Sequence, residues 1–89
     1  MDETIKTSDV VLASVLECKG YELSHVEKDP EDFRGQRKIW VFFEYHPDTM
    51  EDAFTATEIK EQYRAKDIIV EPYEFFVAMR KVKMYLHEA

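Results

Sequence analysis

The sequence predicts a single small α+β domain, on three observations. Residues 38–45 are dominated by β-branched and aromatic residues, the composition of a strand. Two segments, about 8–19 and 72–87, carry apolar residues at helical spacing. The chain has 89 residues, 45% hydrophobic and 35% charged, with 2 Gly and 3 Pro, which suits one globular unit and excludes collagen-like or Gly/Pro-rich chains. The expected order is α-β-β-α-(β)-α. A two- or three-stranded antiparallel sheet carries three helices packed mainly on one face. Residues 1–6 read as a flexible arm.

In the first helix, Thr7, Ser8 and Asp9 offer oxygens to the free amides of the first turn. Val11, Leu12, Val15 and Leu16 make one apolar stripe, and Lys19-Gly20 ends it, the glycine suiting a left-handed C-terminal turn. Tyr21, Leu23 and His25 then alternate with polar residues. Turn chemistry fills 28–36, so a long-looped antiparallel hairpin pairs about 21–27 with 37–45. In its second arm Ile39, Val41, Phe43 and Tyr45 share one face, and Trp40, Phe42 and Glu44 the other. With both faces largely apolar, both are expected to be covered.

Pro47 ends that strand, and Asp48 or Thr49 caps a helix from Met50 to about Arg64. Ile68, Ile69 and Val70 read as a third strand or a buried linker. Pro72 opens the last helix, where a missing amide hydrogen is harmless. Phe75, Met79, Val82 and Leu86 form its seam, widened by Phe76 and Tyr85. Trp40, Phe42 or Phe43, and Phe75 are the expected core anchors.

A net charge of −7, from 12 Lys+Arg against 19 Asp+Glu, disfavours general binding to a nucleic-acid backbone. Cys18 is the single cysteine, so no intrachain disulfide forms and a reducing compartment is expected. The first residues lack a basic region leading into an apolar run, and the longest apolar run, 39–43, is far below the roughly 20 residues of a membrane span. The chain reads as cytoplasmic, with no membrane partner.

No catalytic, cofactor or metal residues are assigned, and the chain reads as not an enzyme. His25, His46 and His87 lack the spacing that gathers three or four metal ligands. Cys18 beside an apolar stripe reads as a small buried hydrophobe rather than a nucleophile. Glu31/Asp32 and Glu51/Asp52 read as surface carboxylates, and Gly20 and Gly35 stand too isolated for a phosphate loop. An enzyme would require a deep pocket around His46 and Asp48.

The apolar content exceeds what so small a fold is expected to cover, and leftover aromatic surface marks contact sites. A homodimer is therefore expected, by edge-strand pairing or by packing the last helix across a two-fold axis. The candidate interaction residues are Trp40, Phe42, Arg37, Lys38, Arg80 and Lys83. The acidic total also suits a basic protein partner. As an alternative, the four cations could converge beside an exposed Trp40 or Phe42 that stacks on bases, giving a nucleic-acid-binding accessory protein.

Thr7-Ser8-Asp9, Leu12-Ala13 and Gly20-Tyr21-Glu22-Leu23 resemble the opening of a family of short phage and bacterial mobile-element proteins of unknown function. Ile39-Trp40-Val41-Phe42 resembles that family's hydrophobic strand, and Val70 with 75–83 resembles its closing helix. The similarity spans about residues 5–87 and rests on the order and spacing of short motifs, with a longer hairpin loop here around 28–36. It implies a compact α+β domain and a phage or mobile-element origin, and it supplies neither activity nor functional residues.

Overall fold

The computed structural model describes residues 3–34, 37–47 and 54–88. The elements run β1 (Thr4–Thr7), α1 (Val10–Cys18), β2 (Leu23–Lys28), β3 (Lys38–Phe43), α2 (Ala56–Arg64) and α3 (Pro72–Glu88). The strands form one antiparallel sheet in the order β1-β3-β2. The α+β class and the three helices are as expected from the sequence. Because β1 and β2 both run antiparallel to β3, they are parallel to each other. They are joined through α1 with β3 inserted between, a split β-α-β unit.

The third strand lies where an arm was expected. Thr4, Ile5 and Thr7 are β-branched and fit a pleated surface. In register, Thr4 pairs with Phe43, Ile5 with Phe42, Lys6 with Val41 and Thr7 with Trp40. Ile5 packs against the core, and the Glu44 N–H donates to the Glu3 carbonyl at 2.9 Å, carrying the pairing one step further. Ile68, Ile69 and Val70 instead form an irregular connection. Ile68 and Val70 turn to the core while Ile69 faces solvent.

Asp9 caps α1, its Oδ1 accepting from Val11 N–H at 2.9 Å and Leu12 N–H at 3.4 Å. Five consecutive residues, Leu12 to Leu16, are buried, so α1 is enclosed nearly all round. Within them the Ser14 hydroxyl is satisfied by donating to the Val10 carbonyl at 2.6 Å.

β2 carries a bulge at Ser24. Leu23 pairs with Phe42, but His25 pairs with Val41 and Val26 with Trp40. The extra residue puts Leu23 and Val26 on the same core-facing side, three positions apart, which a regular period-two strand cannot do. It also turns His25 to the opposite face from Leu23, correcting the simple alternation read from the sequence.

Glu44 ties the end of β3 to the start of α2. Its carboxylate accepts from Thr57 N–H at 2.6 Å and from Thr57 Oγ1–H at 2.7 Å, and its carbonyl accepts from Ala56 N–H at 2.8 Å. A buried carboxylate on the first amides of a helix suits the helix dipole. Thr55 is the true N-cap, in a reciprocal capping box with Glu58. The expected start at Met50, with Asp48 or Thr49 as cap, lies outside the described residues.

The core joins Leu12, Val15 and Leu16 of α1, Ile59 of α2, Val82 of α3, and Trp40 and Phe42 of β3. Trp40 is 4% exposed and donates its indole N–H to the Val82 carbonyl at 3.0 Å, pinning α3 to the sheet. All three helices lie on this face. The opposite face was expected to be covered too, but of its residues only Val41 is buried, Ile39 and Phe43 being half-buried and Tyr45 45% exposed. Val41 is only 1% exposed, flanked in register by Lys6 and His25, and Lys6 Nζ meets Glu27 Oε1 at 2.8 Å. Lys6 belongs to β1 and Glu27 to β2, so that ion pair reaches over β3.

Candidate interaction surface

Helix α3 has two apolar sides. Ala78 and Val82 are buried, and Tyr85 and Leu86 pack against the core, so the seam holds at its C-terminal half. Phe75 and Met79 are half-buried outside the core cluster, and Phe75 is not the core anchor expected. Phe76 does not widen it. Tyr73, Phe76, Arg80 and Met84 fall at i, i+3, i+7 and i+11, a second stripe on the outward side. Tyr73 is 72% exposed, Phe76 58% and Met84 58%. The Arg80 guanidinium carbon sits 5.9 Å from the centre of the Phe76 ring, in a cation–π arrangement. Together the three apolar side chains bare on the order of 400 Å², the scale of functional patches on soluble chains.

Beside this stripe runs a groove of about 390 Å³ between α1 and α3, lined by Glu17 and Cys18 on one side and Tyr73, Glu74, Val77 and Lys81 on the other. Burial, then the Glu74 carboxylate, pushes the Cys18 thiol above its ordinary value of 9.0, so it stays protonated near neutral pH. That is the behaviour of a packed thiol rather than an activated one. The Tyr85 hydroxyl donates to Glu17 Oε1 at 2.9 Å, locking α3 to α1.

A second groove, of about 480 Å³, lies by Gly20, Tyr21, Leu23, Pro47 and Tyr85. The His46 ring meets Tyr21 edge-on with centroids 5.3 Å apart. Gly20 has φ +91°, a conformation that favours glycine, and a Cβ there would stand 2.6 Å from His46 Nε2, so the imidazole would have to shift as well. Asp48, the carboxylate paired with His46 in the sequence reading, lies outside the described residues.

The residues singled out from the sequence fall in different settings. Trp40 and Phe42 are core, the latter 0% exposed, and so are removed from the candidate surface. Their side of β3 is the one the helices cover. Arg37 stays at the base of the hairpin, its guanidinium 3.6 Å from Asp29 and its N–H donating to Asp32 Oδ2 at 2.6 Å. Lys38 stands directly across from Lys28 on the helix-bearing side. Arg80 lies on the outer stripe of α3, and Lys83 follows Val82, whose carbonyl meets Trp40. With Trp40 and Phe42 enclosed, neither ring is open for the four cations to flank, while Arg37 engages the acidic loop and Arg80 the Phe76 ring.

Tyr73, Phe76 and Met84 were missed as a surface, although their 3.6-residue spacing is legible in the chain. Among the described residues, no group of three or more His, Cys, Asp or Glu side chains is placed to hold a metal ion. Among the same residues, no helix is long and apolar enough to cross a membrane. Comparison of the chain with family models, with curated proteins and with solved structures yields no match in any of the three.

Proposed function

We propose that this chain is a non-enzymatic protein-interaction module of the cytoplasm that associates with itself through the outer side of α3. The phage or mobile-element origin implied by the resemblance belongs to the same reading. The observation that carries it is the exposed stripe of Tyr73, Phe76 and Met84. A surface helix whose apolar side is already packed on the core ordinarily shows charges outward. Here two aromatic rings and a methionine occupy that outward side instead, and methionine adapts readily to a contact surface.

Light scattering tests the proposal. The unaltered chain is expected at twice 10.6 kDa at tens of micromolar, and the double variant Phe76→Glu/Met84→Glu at 10.6 kDa with its helical circular dichroism intact. Both positions are exposed, so the charges disturb no core. A chain that stays monomeric at the highest soluble concentration overturns the proposal, as does a double variant that associates unchanged.

A further inference from the structure

We infer that the outer side of α3 pairs with the same side of a second copy, antiparallel across a two-fold axis, with Glu74 of each copy set against Lys81 of the other. This rests on the self-association proposed above and adds its geometry. Glu74 and Lys81 both line the α1–α3 groove, so they border the exposed stripe along the same edge. Both are exposed, and neither has an ion-pair partner among the described residues. They lie two helical turns apart.

This two-fold axis keeps each edge of the helix on the same side and reverses the order of residues along it. Placed at the level of Ala78, it sets Glu74 beside Lys81 of the second copy, twice by symmetry. Within one residue of the same centre, Tyr73 meets Met84 of the second copy, and Phe76 meets Arg80. The ring that already holds its own Arg80 at 5.9 Å thus gains a second guanidinium, leaving no aromatic face bare. The arrangement also opposes the two helix dipoles. A parallel two-fold axis would carry that edge to opposite sides of the pair, so Glu74 would meet no Lys81 of the second copy. The charged edge therefore finds its complement in the antiparallel orientation and not in the parallel one.

Sedimentation equilibrium on three full-length variants decides it. Glu74→Lys and Lys81→Glu each create two like-charge contacts per dimer, and each is expected to weaken association about tenfold. The double exchange Glu74→Lys/Lys81→Glu restores opposite charges across the axis, and its dissociation constant is expected to return to within about threefold of the starting value. Single variants that associate as before, or a double variant no tighter than the singles, overturn the antiparallel geometry while leaving self-association in place. An unaltered chain that is monomeric overturns both.

Discussion

Val41 and Phe42 are neighbours in β3, and both lose nearly all contact with solvent, but by different means. Phe42 faces the helices and joins a cluster drawn from every layer of the fold. Val41 faces the other way and is absent from that cluster. Its shielding comes from Lys6 and His25 on the two flanking strands and from the Lys6–Glu27 ion pair that crosses the strand. Long charged side chains lay apolar stems over such a surface while their ends stay in water. Local cover from the two flanking strands is therefore enough to bury Val41, while Ile39 and Phe43 on the same side stay half-buried. An apolar pattern on both sides of a strand does not by itself require a second packing layer.

The sharpest break of this comparison is Phe42→Ala. The side chain is fully enclosed between sheet and helices, so truncation leaves a cavity that rigid neighbours cannot close. The expected loss is about 3–5 kcal/mol, read from the midpoint of urea unfolding, a large part of the stability of a domain this size. A loss below about 1 kcal/mol would show that the helices collapse freely onto the sheet.

Val41→Ala is expected to cost less, about 1.5 kcal/mol, although the two residues are almost equally inaccessible. The transfer of two carbons dominates there. The stems of Lys6 and Glu27 are free to settle into the space, which limits the cavity contribution. A loss as large as that at Phe42 would mean the open side is packed as rigidly as the core, and the distinction between the two sides would fail.

The same contrast explains what the sequence made legible. Helix α3, the hairpin and the core role of Trp40 followed from apolar spacing, because burial against the core dominates those segments. The bulge was readable in principle from Leu23 and Val26, two core residues three apart, but a period-two pattern through Leu23 and His25 competed with it. The N-terminal strand was obscured because its strength lies in backbone pairing to β3, which leaves little mark on the side chains of 4–7. At α2, Thr55 and Glu58 carry a capping signature that low helix propensity at the threonines masked. The outer stripe of α3 was hidden by Phe76, one residue from Phe75 and therefore easily assigned to the buried seam, although it points to solvent.

The smallest expected effect, and the most direct probe of the open side, is the acid dependence of the Lys6–Glu27 pair. The hydrogen bond from Lys6, and after it the contact with His25, holds the Glu27 carboxyl below its ordinary value of 4.5. The folded chain therefore takes up that proton less readily than the unfolded chain. The resulting stabilisation is complete above the unfolded value and is lost as pH falls through the lower folded one. Lys6→Met keeps an apolar stem over Val41 and removes the charge. The melting temperature of the unaltered chain is expected to exceed that of the variant by a few degrees at most near pH 7, because both partners are solvent-exposed. The gap should narrow steadily from about pH 5 to pH 3, and at neutral pH it should narrow in about 1 M salt, where the screening length shortens to about 3 Å. Other carboxylates titrate alike in both chains and cancel in the difference. A gap that ignores both pH and salt would assign the shielding of Val41 to the lysine stem alone, and the open side would then be held by hydrophobic cover rather than by charge.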